Sequence, residues 1–395
     1  MSFSTKNAAR RYSVPFWRRL SQSASLRLKE TLSGSMTPTT SKPVALWLFG
    51  CSGLVFGMVI LGGVTRLTRS GLSMTDWKFV GSRPPMSQQE WDEEFERYKQ
   101  FPEFKRVNFE ITLSEFKFIY MMEWSHRMFG RFIGVAFGLP FMFFAARRQI
   151  PSHLYGRLAG LFAMGGTQGF IGWWMVRSGL EEAESEHDRR YKEPRVSPYR
   201  LAVHLISAFA IYSLLLSTAI RAYPGGVNAL LKTRPSSIHA PSIVKRGAYG
   251  LASLVGITAF SGAFVAGNGA GLVYNEWPLM GGRYVPSDAI DPNLVPFYRN
   301  FFEHTSLVQF EHRNLAYLTW TSSALFWLMC RRYGAFGMLS PAIQKASGLV
   351  FGMASVQVAL GISTLLYYVP TSLAATHQGG SLALLSTAML LLAAV

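Results

Sequence analysis

Cysteine, acidic residues and charged residues in general are scarce in this sequence of 395 residues. The two cysteines, Cys51 and Cys330, fall within or at the end of apolar stretches, which argues against a disulfide framework and against a cysteine-bound metal. Charged residues make up 15% of the chain, whereas a soluble domain carries roughly a quarter. This composition excludes an ordinary soluble domain.

Long apolar runs account for the shortfall of charge. A run of roughly 20 apolar residues is long enough to cross a bilayer as a helix. The runs lack the alternation of barrel strands, so we predict an all-α integral membrane protein. Its eight predicted transmembrane helices are 44–65, 118–146, 155–176, 201–220, 247–267, 305–330, 346–368 and 372–395.

The formal charge of +17 would fit a nucleic-acid partner, but the positions of the charges exclude one. The loops that follow the second, fourth and sixth runs contain Lys and Arg and no acidic residue. A cation excess on alternate loops is the positive-inside pattern, which places the N-terminus and these loops on the inner face. The cations therefore orient the chain in a lipid bilayer.

Residues 1–43 have the composition of a mitochondrial transit segment. They hold eight Lys and Arg but a single acid, Glu30, and they are rich in serine. A disordered basic tail is the alternative, and either interpretation removes this segment from the folded domain.

The remaining sequence repeats itself with four predicted helices in each half. GGVTRLTRSGLSMTDW (62–77) aligns with GAFVAGNGAGLVYNEW (262–277), EWSHR (123–127) with QFEHR (309–313), and TQGFIG (167–172) with VQVALG (356–361). Because four is an even number, both halves enter the membrane from the same side, as in a parallel repeat. We predict two tandem four-helix bundles, at 44–221 and 247–395, joined by a linker at 222–246.

Four of the eight histidines occupy matched positions in this repeat. His126, His204, His312 and His377 lie near the starts of the second, fourth, sixth and eighth runs, so all four lie at one depth near the outer face. Polar ligand-type residues at membrane depth are costly and indicate function. Two imidazoles that face each other in a four-helix bundle can ligate haem iron. Zinc would need about four clustered ligands, and the two pairs belong to different halves.

Charged residues beside these histidines suggest further roles. Arg127 and Arg313 directly follow two of the ligand candidates, where they could bind haem propionates or extend towards the interface. Glu123 lies one helical turn before His126, whereas the repeat places Gln309 before His312. A carboxylate in only one half could accept or relay a proton, or it could pair with a nearby arginine.

The motifs together resemble the haem A synthase family in its mitochondrial form. They are GGVTRLTRSGLSMTDW, EWSHRMFGR, GNGAGLVYNEWPLMGG, FEHRNLAY and THQGG, and the resemblance covers residues 44–395. It implies oxidation of the C8 methyl of haem O to a formyl group by successive hydroxylations, which gives haem A for cytochrome c oxidase. It also implies haem b as cofactor on His312 and His377, haem O as substrate at His126 and His204, and Glu123 as the functional glutamate.

The resemblance further implies a location and partners. The location is the mitochondrial inner membrane, with the N-terminus in the matrix and the haem sites towards the intermembrane space. The partners are a ferredoxin-type electron donor, haem O synthase and oxidase assembly factors. A homo-oligomer is a further possible partner. Some bacterial members carry a cysteine pair in an outer loop, which this chain lacks.

Two other functions compete with this interpretation. A di-haem membrane electron carrier, such as a quinol-linked cytochrome, explains the four histidines but not the difference between Glu123 and Gln309. A repeat-built transporter would have polar residues near the membrane midplane. The polar residues here cluster towards one face, so the transporter ranks last.

Overall fold

The computed structural model describes residues 42–74, 81–180 and 195–395. Most of the predicted transit segment, the repeat positions Asp76 and Trp77, and His187 lie outside these ranges. The described residues form twelve α-helices: α1 Lys42–Leu67, α2 Gln88–Tyr98, α3 Pro102–Arg106, α4 Leu113–Ala146, α5 Ser152–Leu180, α6 Pro198–Ala222, α7 Gly226–Leu231, α8 Ser242–Asn268, α9 Asn300–Glu303, α10 Thr305–Ala335, α11 Pro341–Leu366 and α12 Thr371–Ala394.

Each predicted apolar run coincides with one of the eight long helices, although the predictions 346–368 and 372–395 extend beyond the ends of α11 and α12. Six of these are long and apolar enough to cross a membrane, namely α1, α4, α6, α8, α11 and α12. The other two, α5 and α10, have 29 and 31 residues but are less apolar. The all-helical prediction is thus confirmed for the described residues, with six candidate spans.

Helix-capping residues explain why two long helices begin before their apolar runs. Thr112 caps α4, and its side chain and that of Glu115 satisfy each other's backbone N–H groups in a capping box. Ser197 caps α6 in front of Pro198, whose fixed φ suits the first position of a helix. Both helices therefore include a polar first turn that hydropathy alone would not assign to them.

The long helices pack as two closed rings. In the N-terminal ring, α1 contacts α4, α4 contacts α5, α5 contacts α6, and α6 returns to α1. In the C-terminal ring, α8, α10, α11 and α12 contact one another in the same cyclic order. The rings meet where α6 contacts α8 and where α12 contacts both α1 and α6. The largest buried apolar cluster lies along this junction and includes Val59, Phe209, Val255 and Leu382.

The long loop between α1 and α4 is a folded element of its own. Its helix α2 places Trp91, Phe95 and Tyr98 against Phe116 of α4. Tyr98 and Phe116 are fully buried, although this segment is the most acidic part of the described chain. Aromatic burial therefore fixes the loop over the first turns of α4, close to Glu123.

Candidate active site

The four predicted histidines lie at the same end of the two rings. His126 and His204 come from α4 and α6 of the N-terminal ring, and His312 and His377 come from α10 and α12 of the C-terminal ring. The imidazole of each of these four histidines packs against a glycine near the C-terminal end of a neighbouring, antiparallel helix. The helix order therefore forms two histidine pairs, one in each ring.

The pair in the C-terminal ring has a geometry that suits a shared metal. The ring centres of His312 and His377 are 6.4 Å apart, and the ring planes are almost perpendicular, at 88°. With metal–imidazole bonds of about 2 Å and ring nitrogens roughly 1 Å from the ring centre, two imidazoles on opposite sides of one metal have centres about 6 Å apart. The observed separation matches a bis-histidine haem iron.

The pair in the N-terminal ring is also close. His126 and His204 lie near enough to interact electrostatically. Within the described ranges, no three His, Cys, Asp or Glu side chains come together as a metal-binding group. In the part of the chain that the structure describes, the four histidines thus lie as two pairs.

The second ring nitrogen of each histidine differs in its surroundings. Nδ1 of His312 lies 2.8 Å from the Ser261 hydroxyl, whereas the Nδ1 atoms of His126, His204, His377 and also His304 are buried without a hydrogen-bond partner among the described residues. Buried polar atoms are normally paired, and each exception calls for an explanation. Because His304 shares this feature, an unpaired Nδ1 does not by itself mark a ligand, and the pairing of the rings carries the ligand assignment.

The imidazole ring of each of the four paired histidines lies against a glycine of a neighbouring helix. A Cβ added at Gly62 or Gly361 would come within 2.9 Å of the ring Cε1 of His126 or His377, respectively. At Gly172 and Gly262 the distance to Cε1 of the facing histidine, His204 or His312, would be 3.1 Å. Such distances are shorter than van der Waals contact, so a side chain added at any of these four positions, which we call the glycine seats, would force the facing histidine ring to move.

Two glutamines hold the backbone of the histidine helices. Gln168 of α5 donates its Nε2 hydrogen to the His204 carbonyl at 2.7 Å, and Gln357 of α11 donates to the His377 carbonyl at 2.9 Å. Both glutamines belong to the aligned segments TQGFIG and VQVALG, which also contribute the seats Gly172 and Gly361. The two aligned segments therefore make the same contacts to a histidine helix in the two helix rings, and the sequence alignment alone did not show these contacts.

Glu123 is buried at the centre of a polar site, with a residue exposure of 2%. Its carboxylate oxygens accept hydrogen bonds from the Ser73 hydroxyl at 2.7 Å, from the Met74 backbone N–H at 2.8 Å and from Arg127 at 2.6 Å. These donors offset part of the cost of burying a carboxylate. Pairing with arginine, one of the two roles considered for Glu123, is therefore present.

Gln309 occupies the corresponding place in the C-terminal ring and makes different bonds. Its Nε2 group donates to the backbone carbonyls of Ala270 and Tyr274, at 2.9 and 3.2 Å. Its Oε1 atom accepts a hydrogen bond from Arg313 at 3.1 Å. The amide satisfies this buried position without a titratable proton, so only the N-terminal ring has an acid here.

The two predicted arginines contact loop carbonyls. Arg127 donates to the Met74 carbonyl at 2.9 Å, and Arg313 donates to the Tyr274 carbonyl at 2.9 Å. Arg66 of α1 donates across the ring junction to the Ala266 carbonyl of α8 at 3.2 Å. Arg127 and Arg313 thus fix the loops at the histidine end, and Arg66 joins α1 to α8.

Comparisons with known proteins identify the family of the chain. The COX15-CtaA family model, described as "Cytochrome oxidase assembly protein", matches residues 45–389. The chain is 49% identical over 383 residues to "Heme A synthase COX15" of Arabidopsis thaliana, a match that covers 95% of this chain and 80% of the relative.

Two further relatives show how widely the similarity extends. "Heme A synthase COX15" of Homo sapiens is 47% identical over 350 residues, covering 88% of this chain and 82% of the relative. "Heme A synthase" of the bacterium Nitrosospira multiformis is 43% identical over 349 residues, covering 88% of this chain and 92% of the relative. The chain belongs to the COX15-CtaA family of cytochrome oxidase assembly proteins.

Proposed function

We propose that the protein is a haem A synthase, an integral-membrane oxidoreductase that converts the C8 methyl group of haem O to the formyl group of haem A. The name of its relatives supports this reaction, and the paired histidines at one end of the helix bundle supply ligands for two haems. The single observation that carries the proposal is this pair of histidine sites, of which, among the described residues, only the N-terminal one has a fully buried carboxylate one helical turn from a histidine.

In this proposal His312 and His377 hold haem b as the resident cofactor. Their ring separation of 6.4 Å and their seats on Gly262 and Gly361 support the assignment. Haem b, when bound there, supplies one-electron redox chemistry, whose potential depends on its axial ligands and on burial. Ser261, which contacts Nδ1 of His312, orients that ring.

His126 and His204 bind the substrate, haem O, in the N-terminal ring. Glu123 lies on the same face of α4 as His126 and accepts a proton that leaves the substrate during oxidation of its methyl group. Ser73, Met74 and Arg127 hold the carboxylate in place. The absence of an acid at Gln309 supports the assignment of the reaction to the N-terminal ring.

We extend the proposal to eight membrane spans in two repeated halves, 44–221 and 247–395, separated by a linker at 222–246. The two rings of helix neighbours and the equivalent bonds of Arg127 and Arg313 support it. The less apolar helices α5 and α10 expose Phe162, Phe170, Leu325 and Leu328, as helices in contact with lipid do. Within the linker, the structure contains α7, and α8 begins at Ser242.

The location and the partners complete the proposal. The charge pattern supports an N-terminus in the matrix and haem sites towards the intermembrane space of the mitochondrial inner membrane. Arg127 and Arg313 lie where guanidinium groups could bind haem propionates after giving up loop carbonyls. The ferredoxin-type electron donor, haem O synthase, the assembly factors and a homo-oligomer rest on the resemblance alone.

Expression of the full chain in a host that makes haem O but no haem A tests the proposed reaction. We expect extracted haem to contain a new species in which an oxygen has replaced two hydrogens of haem O, measured by chromatography and mass spectrometry. A His126→Ala, His204→Ala double variant should give no such species, because the substrate ligands are lost. Unaltered haem in cells that contain the folded wild-type protein would instead favour the di-haem electron carrier.

The ligand assignment gives a separate prediction. His312→Ala should remove the haem b absorption of the purified protein, because one axial ligand and the packing around it are lost. His304→Ala is the matched control, since His304 precedes the same helix and has no proposed ligand role. Retention of full haem b absorption in His312→Ala would contradict the assignment.

A further inference from the structure

The C-terminal helix ring has a tryptophan between two of its helices. The Trp320 indole of α10 donates a hydrogen bond to the Ser355 hydroxyl of α11 at 3.0 Å. The centre of the Trp320 ring also lies 6.0 Å from that of Phe351 on α11. Trp320 therefore fills the seam between α10 and α11.

The repeat has a glycine at both positions of this contact in the N-terminal helix ring. The alignment of EWSHR with QFEHR places Gly134 of α4 opposite Trp320. The alignment of TQGFIG with VQVALG, extended back by one residue, places Gly166 of α5 opposite Ser355. Because the two helix rings have the same cyclic order, Gly134 and Gly166 face the seam between α4 and α5. No side chain from these positions fills that seam.

The space beside these glycines is open. A Cβ added at any of four glycines would meet no described atom of a neighbouring helix within 4 Å, namely Gly134, Gly165, Gly166 and Gly169. The three on α5 follow Phe162 by three, four and seven residues, so they share its helix face. Phe162 itself meets α4, since a Cβ added at Gly138 would lie 3.1 Å from its ring. We call the gap bounded by these four glycines and Phe162 the open seam.

The open seam is continuous with the proposed substrate ligands. At one end Phe162 closes it, and its ring stacks on Phe137 of α4 with 6.0 Å between the ring centres. Towards the other end α5 continues to Gly172, the seat of His204. Helix α5 rises by about 15 Å from Phe162 to Gly172, at 1.5 Å per residue. The gap is thus an elongated slot that leads away from a histidine pair.

The shape and the chemistry of this slot suit a long apolar chain attached to a porphyrin. Haem O, the proposed substrate, carries an isoprenoid chain where haem b has a vinyl group. Helical glycines offer no polar side chain, and the exposed rings of Phe162 and Phe170 on α5 are apolar. Lipid is as apolar as the isoprenoid chain, so the slot acts through its shape more than through added affinity. In the C-terminal helix ring, the Trp320 side chain occupies the equivalent space.

We propose that the open seam between α4 and α5 holds the isoprenoid chain of haem O, and that Trp320 closes the equivalent seam so that the C-terminal helix ring accepts a haem without such a chain. Gly134 and Trp320 then determine which haem each histidine pair binds. The inference rests on the proposed function, because it takes haem O as the ligand of the N-terminal histidines.

Gly134→Trp tests the slot by placing the C-terminal side chain in the N-terminal helix ring. The full chain is purified from a host that supplies both haem O and haem b, and its haems are separated by chromatography. We expect wild-type protein to hold haem b together with an isoprenoid haem. Gly134→Trp should hold at least about tenfold less isoprenoid haem, with haem b at both histidine pairs, because the indole occupies the place of the chain.

Gly160→Trp is the matched control on α5. A Cβ at Gly160 also meets no described atom of a neighbouring helix within 4 Å, but helical geometry places it on the face opposite Phe162. This variant should keep the wild-type haem composition. Equal amounts of isoprenoid haem in Gly134→Trp and wild type would overturn the proposal.

The reverse exchange tests the role of Trp320. Replacing Trp320 and Ser355 together by glycine opens the seam between α10 and α11. His312 and His377 should then accept haem O, so the ratio of isoprenoid haem to haem b should rise above that of wild type. An unchanged ratio would contradict the exclusion of the chain by Trp320.

Haem binding and haem oxidation together separate failure of the slot from failure of the proposed function. If Gly134→Trp selectively loses haem O but wild-type protein forms no haem A, the proposed oxidation fails and the slot stands. If Gly134→Trp binds haem O and forms haem A as wild type does, the slot fails and the proposed function stands.

A smaller side chain decides the result if Gly134→Trp binds no second haem of either kind. Gly166→Leu fills the open seam from α5 with less bulk, at a position where a Cβ meets open space. Loss of isoprenoid haem with haem b retained at both histidine pairs would support the proposal. Any other haem composition in Gly166→Leu would overturn it.

Discussion

Glu123→Gln is expected to lower the rate of haem A formation by about 10²-fold or more, with haem b content unchanged. The amide has the shape of the carboxylate, and its single oxygen can still accept the hydrogen bond from Arg127, but its NH2 group cannot accept those from Ser73 and Met74, and it cannot take up a proton at working pH. The change makes the N-terminal ring resemble the C-terminal ring, where Gln309 occupies this place. The rate is measured by extraction and chromatography of haems, and haem b by its visible spectrum.

Glu303→Gln serves as the control for this prediction. Glu303 also pairs with an arginine one helical turn away, Arg299, at 2.7 Å, so the substitution removes a comparable ion pair away from the proposed substrate. It should leave the rate close to that of wild type. If Glu123→Gln converts haem O at the wild-type rate, the proton-accepting role of Glu123 is wrong.

Gly262→Ala is expected to abolish haem b binding, or to shift its spectrum strongly, because the new methyl group displaces the His312 ring. The added Cβ would lie 3.1 Å from Cε1 of His312. The ring would have to move by several tenths of an ångström, and axial ligation depends on its position. Visible and paramagnetic resonance spectra of the purified protein report the ligation directly, without any need for turnover.

Gly256→Ala on the same helix is the matched control, since a Cβ there would meet nothing within 4 Å. It should retain normal haem b. Equal spectra for Gly262→Ala and wild type would contradict the role of the glycine seats.

The corresponding experiment can be done in the N-terminal helix ring. Gly62→Ala places a Cβ 2.9 Å from Cε1 of His126, whereas Gly53→Ala on the same helix meets no atom within 4 Å. Gly62→Ala should lose bound haem O and haem A formation but keep haem b, because it affects only the substrate ligands. Loss of haem b from Gly62→Ala would contradict the assignment of cofactor and substrate to separate rings.

Helix positions and the four histidines could be predicted because they follow local patterns. Apolar runs of spanning length locate all eight long helices, and matched positions in the repeat single out His126, His204, His312 and His377. Glu123 could be identified in the same way, because the repeat aligns it with a glutamine, Gln309, in the other half. These features depend on spacing along the chain, which a single sequence displays.

The contacts around these residues could not be predicted, because they join segments far apart in sequence. Ser73 and Met74, which hold Glu123, come from a loop about fifty residues away and have no periodic signature. The alignment marked Gly62 and Gly262, but their role as seats depends on how two helices approach. Glu103 belongs to an acidic loop whose composition suggests a solvated surface, yet it is only 6% exposed.

The most direct test of the central claim is the haem content of the full chain, purified in detergent from a host supplied with haem O. A pyridine-haemochrome spectrum combined with chromatographic haem analysis identifies every haem that remains bound. The account predicts haem b together with a second species, which is haem O, haem A or a hydroxylated intermediate between them. Haem b alone at both histidine pairs would contradict a substrate site and favour an electron carrier, and a protein without haem would contradict the assignment of all four histidine ligands.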